Sequence, residues 1–106
     1  PFVREIRMQI KTFKNNGNVR LVLSGRFTFD AYHDFKAEFT PVLDSGDFKE
    51  LEIDLGGVEY LDSSALGMLL LLKERVVNKP IVLSNAKGTV KSVMEIANFH
   101  QLFAMK

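Results

Sequence analysis

Residues 51–72 read LEIDLGGVEYLDSSALGMLLLL, and this stretch carries the most information about the architecture. Leu51 to Leu55 alternate apolar and acidic side chains as a short strand does, and Gly56-Gly57 is predicted to close that strand. Asp62-Ser63-Ser64 supplies three residues of the types that cap helices, and an apolar helix is predicted from there to about Val77. A strand that leads through a turn into a helix is the repeating unit of α/β folds.

The residues before this stretch predict a β-hairpin. Ile6, Met8 and Ile10 alternate with polar residues, which is the period of a half-buried strand. The turn sequence from Asn15 to Asn18 follows, because Asn and Gly tolerate the positive φ of tight hairpins. The alternation then resumes at a second set of apolar residues: Val19, Leu21 and Leu23.

A first helix is predicted after Gly25, with Asp30 as its cap and Pro41 helping to end it. Its buried face is predicted to carry large apolar residues at three- and four-residue spacing: Tyr32, Phe35, Phe39 and Val42 or Leu43. Asp44 to Asp47 is predicted to be a loop.

The residues that follow the central stretch predict a buried strand, a third helix and an apolar tail. Asn78-Lys79-Pro80 breaks the apolar helix, and Ile81 to Leu83 is short, apolar and β-branched. A helix is predicted from Thr89 to Asn98, with one apolar face formed by Val90, Val93, Met94 and Ala97. Phe99 to Met105 forms the tail. The order ββαβαβα predicts one α/β domain over residues 1–106, a mixed sheet of four to five strands whose later strands are parallel, with helices packed against it.

Composition excludes several classes of function. The chain has 106 residues, 46% of them hydrophobic and 25% charged, and a formal net charge of +1, with no basic stripe of the kind that binds nucleic acid. It has no cysteine, and no motif predicts a cofactor or a metal. Pro1 to Glu5 do not resemble a secretion signal, and the run from Met68 to Leu72 is far shorter than the ~20 residues that span a membrane. We therefore expect a cytoplasmic protein with no direct membrane insertion.

The predicted helix start at Asp62-Ser63-Ser64 is the candidate functional site. One interpretation is a plain cap, because Asp and Ser side chains commonly satisfy the first amides of a helix. The same place also suits a phosphate, because the free N–H groups and the helix dipole both favour an anion. A phosphoserine in the first turn would cost the fold little and would change what can dock nearby.

The periodicity of the second helix predicts a second, outward face. At ~100° per residue, Ala65, Leu69, Leu72 and Val76 share the side assigned to the core. The opposite side carries Ser63, Gly67, Leu70 and Glu74, with Leu66 and Leu71 flanking them. Exposed leucines beside a glycine favour a partner contact. The alternatives are that another element covers these leucines or that they are scattered surface residues.

Together these features resemble STAS domains, the family of the bacterial anti-sigma-factor antagonists. Asp62 to Gly67, after a strand and a short turn, is similar to that family's signature. The stretch after Gly25 is similar to its second-strand exit, and Val90 to Phe103 looks like its carboxy-terminal helix and tail. The resemblance covers nearly the whole chain.

The resemblance implies a phosphorylation-controlled protein–protein switch. Such antagonists bind a serine kinase/anti-sigma factor while unphosphorylated, the kinase phosphorylates the serine after the Asp, and a serine phosphatase reverses the step. Carried over, the phosphoacceptor is Ser63 and the fallback is Ser64. The implied partner-binding residues are Asp62, Ser64, Leu66, Gly67, Leu70, Leu71, Thr28 and Arg26.

This chain departs from the family pattern at three positions. Ala65 stands where many members have Gly, Thr28 where many have Asp, and Arg26 where many have Glu. The departures at Arg26 and Thr28 predict kinase recognition that differs from that of the best-known members, and Thr28 is a minor candidate for a second phosphosite.

Two other readings compete with the switch. An enzyme with Ser63 or Ser64 as nucleophile would need a base and a group that orients it, and neither His33 nor His100 lies in such a motif. We therefore expect no enzymatic activity. The stronger alternative is a STAS adaptor subunit of a transporter or signalling complex that is never phosphorylated. Ser63→Asp separates the two, because only a switch should change its partner binding.

Overall fold

The computed structural model describes residues 8–106. Ile6, the first residue of the predicted alternation, lies outside them, as do Pro1 to Glu5. The elements in chain order are β1 (Gln9–Asn15), β2 (Asn18–Phe27), a 3₁₀ helix (Phe29–Ala31), α1 (Tyr32–Ser45), β3 (Glu50–Leu61), α2 (Ser63–Arg75), β4 (Ile81–Ser84), α3 (Gly88–Ile96), a second 3₁₀ helix (Phe99–Gln101) and β5 (Ala104–Met105).

The five strands form one mixed sheet in the order β1-β2-β3-β4-β5. β1 and β2 are antiparallel and joined by the predicted hairpin turn, where Asn16 has φ 52° and Gly17 has φ 87°. Each later pair of neighbours is parallel. The predicted α/β class and the mixed sheet with parallel later strands are confirmed.

The hydrophobic core lies between the helices and one face of the sheet. The register aligns Leu21, Ile53 and Leu83 on that face, and all three are fully buried. Because parallel neighbours in sequence order are joined by right-handed crossovers, α1, α2 and α3 lie over the same face. Their buried side chains belong to a single cluster with the strand residues.

The opposite face of the sheet is polar at its centre. Arg20, Glu52 and Asp54 on β2 and β3 form ion pairs, with 3.6 Å between Arg20 Nε and Glu52 Oε2 and a close contact between Arg20 Nη2 and Asp54 Oδ2. Ser84 Oγ on β4 donates to Glu52 Oε2 at 2.5 Å. A charged network that spans three strands identifies this face as one that the helices do not cover.

The prediction that Gly56-Gly57 closes the third strand is wrong, because β3 continues through both glycines to Leu61. The pairing of β2 with β3 shifts register between Val22 and Ser24, so Ser24 pairs with Gly57. A β-carbon on Gly57 would lie 2.7 Å from Ser24 Cβ. The glycine therefore permits a close approach of two strands at a bulge. A glycine in a strand pattern can mark such a bulge as well as the end of the strand.

Three predictions about α1 are corrected. Asp30 lies in the 3₁₀ helix, and the residue that caps α1 is Ala31, without a side-chain bond. Tyr32 is exposed rather than buried, whereas Phe35 is buried as predicted. Pro41 lies inside the helix, which continues to Ser45. The helix tolerates the lost N–H because Phe39 and Val42, on either side of the proline, are buried in the core. It ends where Gly46 adopts a left-handed conformation.

The carboxy-terminal half differs from expectation mainly at element ends. α2 ends at Arg75, because Val76 is already extended, and α3 ends at Ile96 and leaves Ala97 exposed. The predicted tail is an ordered segment that forms a 3₁₀ helix and the parallel edge strand β5. Its Phe99 and Phe103 rings are buried against each other, with centroids 5.3 Å apart.

Candidate functional site

The start of α2 is built around Asp62, the last residue before the helix. Its backbone is extended, with φ −110°, and its N–H donates to Phe27 O at 3.3 Å. Its Oδ1 accepts the N–H of Ala65 at 3.0 Å, which is the predicted cap. Its Oδ2 accepts the N–H of Phe29 at 3.1 Å. One carboxylate thus joins the helix start to the segment that follows β2.

Ser63 and Ser64 are the first two residues of α2 and differ in exposure. Ser63 is exposed, whereas Ser64 is half-buried. Within residues 8–106, neither hydroxyl makes a hydrogen bond to protein, and the N–H groups of both residues lack a protein acceptor. Two free amides at the positive end of the helix dipole favour an anion at this point.

A shallow apolar groove of about 320 Å³ lies beside the helix start. Phe29 and Tyr32 form one wall, and the α2 residues Ser64, Gly67, Met68 and Leu71 form the rest. Phe29 is 71% exposed, which is unusual for so large an apolar side chain. An open groove with an exposed aromatic wall is suited to receive an apolar group of another molecule.

The predicted partner-binding residues divide into two groups. Ser64, Gly67 and Leu71 line the groove, and a methyl group at Gly67 would meet nothing within 4 Å beyond its own helix. Leu66 and Leu70 do not line it, since Leu66 is half-buried against the core and Leu70 is 38% exposed elsewhere on the helix.

Arg26 and Thr28 also lie outside the groove lining. The guanidinium carbon of Arg26 lies 4.7 Å from the centre of the Tyr60 ring, on the neighbouring strand. Thr28 is half-buried, and its carbonyl accepts the N–H of Ala31 at 2.9 Å. Both residues therefore have local structural contacts of their own.

Sequence reasoning missed Phe29, Tyr32 and Met68. The wheel of α2 treats the helix alone, so it cannot show that the segment after β2 forms a wall beside it. Tyr32 was predicted on the buried face because it fits the spacing of Phe35 and Phe39. The available signal was Phe29, an aromatic residue between two polar ones just before a helix, where exposure is expected.

The buried carboxylate of Asp54 lies away from the groove. Burial disfavours its charged form, but hydrogen bonds from Arg20, Gly56 N–H and Asn85 outweigh that effect and hold the pKa of Asp54 below its usual 3.8. Gly56 N donates to Asp54 Oδ1 at 2.9 Å. This carboxylate joins β3 to Arg20 of β2 and also accepts an N–H of its own strand, which gives it a structural role.

Residues 8–106 hold no cluster of three or more His, Cys, Asp or Glu side chains arranged for a metal. His33 lies in α1 and His100 in the second 3₁₀ helix, and over these residues no hydrogen bond joins either ring to Ser63 or Ser64. No helix within 8–106 is long and apolar enough to cross a membrane.

Comparison with known proteins finds one relative named for its STAS domain and one named as an anti-sigma factor antagonist. A STAS-domain containing protein of Pseudomonas aeruginosa is 41% identical over 83 residues, covering 76% of this chain and 80% of the relative. BtrV of Bordetella bronchiseptica, a candidate anti-sigma factor antagonist, is 29% identical over 98 residues, covering 91% of this chain and 84% of the relative.

SpoIIAA, a Bacillus cell fate determinant and anti-sigma factor antagonist, has a similar fold in both of its solved forms. The unphosphorylated form superimposes with a TM-score of 0.72 at 19% identity, covering 94% of this chain and 87% of SpoIIAA. The phosphorylated form gives 0.70 at 17% identity, covering 94% and 91%. The family model described as "Mlab, STAS domain" matches residues 11–104, nearly all of the described chain. The chain therefore belongs to the STAS domain family.

Proposed function

We propose that this STAS domain is a protein–protein interaction switch that phosphorylation of Ser63 controls. The observation that carries the proposal is the position of Ser63: exposed, first in α2, with free amides around it and an apolar groove alongside. A kinase can reach an exposed hydroxyl at a helix start, and the helix end tolerates the new charge.

Exposure favours Ser63 over Ser64 as the acceptor. Ser64 is half-buried and lines the groove, so a phosphate there would need a bulky dianion beside Phe29 and Met68. Ser63 can carry the phosphate in solvent. Ser64 is then a contact residue, which agrees with its place in the groove.

The charge of the phosphate supplies the switching. A phosphoserine adds about −1.5 to −2 charges at neutral pH. A partner that fits an apolar groove must remove water from the rim, and a dianion at the rim opposes that desolvation. Phosphorylated protein should thus release a partner that fills the groove in the unphosphorylated form.

The comparisons support the class of partner. BtrV carries the assignment of anti-sigma factor antagonist, and SpoIIAA is known in phosphorylated and unphosphorylated forms. By analogy the partner of this chain is a serine kinase/anti-sigma factor, and a serine phosphatase resets it. The domain acts in the cytoplasm by binding, without an enzymatic activity of its own.

Phosphosite mapping tests the first step. The protein is isolated from its native cells with phosphatases inhibited, and the peptide that covers Tyr60–Lys73 is examined by mass spectrometry under several growth conditions. The expected result is phosphate on Ser63. Repeated full coverage without phosphate would overturn the switch and favour the constitutive adaptor.

Binding to the co-purified kinase partner tests the second step. Ser63→Ala should bind as the unphosphorylated parent does, whereas Ser63→Asp should bind at least about tenfold more weakly, a loss of ~1.4 kcal/mol. Ser92→Asp is the matched control, because it adds the same charge to the exposed face of α3. Equal binding by Ser63→Asp and Ser92→Asp would again indicate an adaptor.

The groove has its own matched pair of variants. Phe29→Ala removes an exposed aromatic wall and should weaken binding by about 1–2 kcal/mol, as truncation of an interface anchor does. Ile96→Ala removes an apolar side chain that is 82% exposed on α3 and should leave binding unchanged. Similar losses in both variants would place the partner contact outside the groove.

A further inference from the structure

We propose that Asp62 is a positioning residue that couples the charge at Ser63 to the Phe29 wall of the groove. The inference deepens the proposed function and rests on it, because it concerns what a phosphate on Ser63 does to the molecule. The observation behind it is that the two oxygens of one carboxylate serve two different elements.

The backbone of Phe29 is tied to the start of α2 by this carboxylate. Its N–H donates to Asp62 Oδ2 at 3.1 Å, and its side chain is 71% exposed. The neighbouring turn is closed by Ala31 N–H and Thr28 O, at 2.9 Å, which constrains the 3₁₀ helix but leaves the Phe29 amide to Asp62. The Phe29 carbonyl accepts the N–H of Tyr32 within the 3₁₀ helix, so Asp62 is the side chain that links this helix to the start of α2.

A phosphate on Ser63 would compete for the same donors. Asp62 Oδ1 accepts from Ala65 N–H at 3.0 Å, and this amide belongs to the first turn that a phosphate at the helix start also reaches. A dianion is the stronger acceptor for these amides, and it repels the adjacent carboxylate. Asp62 is displaced from the helix start, and Oδ2 leaves the Phe29 N–H with it.

The consequence is a change in the groove at a distance from the phosphate itself. Met68 and Gly67 stay fixed by α2, whereas Phe29 loses the bond from its N–H to the start of that helix. A partner that contacts only the apolar wall would then sense phosphorylation. Asp62 acts here through Phe29 and need not touch the partner.

The test is an NMR measurement on ¹⁵N-labelled protein in which phosphoserine is incorporated biosynthetically at position 63. The Phe29 amide should exchange with solvent about tenfold or more faster than in the unmodified protein, as expected when a hydrogen bond to a charged group is lost. Phosphoserine incorporated at position 92 should leave the Phe29 amide unchanged. An unchanged Phe29 amide in the protein phosphorylated at 63 would overturn the coupling.

The same measurement in an Asp62 variant shows whether Asp62 transmits the effect of the phosphate to the Phe29 amide. In Asp62→Ala, Phe29 should exchange fast already, and phosphoserine at 63 should add no further change. An equally large further acceleration in that background means that the phosphate acts by another route, which also overturns the inference. If Asp62→Ala does not fold, Asp62→Asn replaces it, and the acceleration by phosphoserine should then be smaller than with Asp62, because the repulsion between like charges is gone.

Failure of this inference is distinguishable from failure of the proposed function. The phosphate is installed without any kinase, so the Phe29 measurement does not depend on whether cells phosphorylate Ser63. Native protein without phosphate would refute the switch. A rigid Phe29 in phosphorylated protein would refute the coupling alone.

Discussion

Replacing glycine by alanine should have opposite effects on stability at two positions of this domain. At Gly57 the new methyl group would meet Ser24 Cβ at 2.7 Å, Leu23 O at 3.1 Å and Ser24 Cα at 3.2 Å. Two of these atoms are backbone, held by the pairing of β2 with β3, so the strands themselves must move. At Gly67 the methyl group would meet nothing within 4 Å outside its own helix.

The magnitudes follow from these contacts. Overpacking costs about 1–3 kcal/mol, and the less flexible unfolded chain returns about 0.4–1 kcal/mol, so Gly57→Ala should lose about 1–2 kcal/mol. Gly67→Ala lies within α2 and should gain about 1 kcal/mol from helix propensity. At ~4–8 °C per kcal/mol, the Tm values of the two variants should lie about 10–20 °C apart.

Thermal and urea unfolding followed by circular dichroism measure both variants. The double variant Ser24→Gly/Gly57→Ala removes the closest contact and should recover part of the loss, with a coupling energy of about 1 kcal/mol. A Gly57→Ala protein as stable as the parent would show that the bulge has room for a side chain, so the close approach of the two strands would not require glycine at this position.

Three further changes test the fold and the helix start. Asp54→Asn should lower stability at pH 7, and its difference in unfolding free energy from the parent should shrink as the pH falls through 3.8 and below. The reason is that a carboxyl with a depressed pKa in the folded state adds stability above its unfolded pKa and loses it on protonation. Urea unfolding at several pH values measures this difference, and a pH-independent difference would contradict the expectation. Asp62→Ala removes the side-chain acceptor of Ala65 N–H and should cost about 1–2 kcal/mol in urea unfolding. No loss would show that the cap is not stabilising. Pro41→Ala restores an N–H inside α1 and should gain about 1–3 kcal/mol, which raises the Tm by about 4–24 °C. An unchanged Tm would mean that the helix has already adapted to the proline.

Local patterns were sufficient to predict the α/β class, the hairpin and a capped helix start within Asp62-Ser63-Ser64. Each depends on residues close together in sequence: the turn at Asn16-Gly17, or the carboxylate three residues before the amide it binds. The features missed depend on residues far apart in sequence. Gly57 follows apolar residues as a strand end would, and only its pairing with Ser24 reveals a bulge.

In the candidate site too, the features that depend on nearby residues were predicted and those that depend on distant residues were missed. The wheel of α2 correctly assigned Ala65, Leu69, Leu72 and Val76 to the buried side. It could not predict that Phe29, 34 residues before Ser63, forms the wall of the groove. The role of Ser63 as phosphoacceptor remains a prediction, because phosphorylation is an event in the cell and depends on a second protein.

The order of strands in the sheet also determines how the domain can be assembled during synthesis. Each strand pairs with the strand before it in sequence, so each new strand and helix finds its docking surface already made by the residues that left the ribosome earlier. The pairing of β2 with β3 provides the first large surface, and it extends from the pair Asn18 and Glu50 to the pair Phe27 and Leu61. By contrast, β5 adds only two residues at the end. The chain can thus fold progressively, from its amino-terminal hairpin onwards, without waiting for a distant segment to complete the sheet.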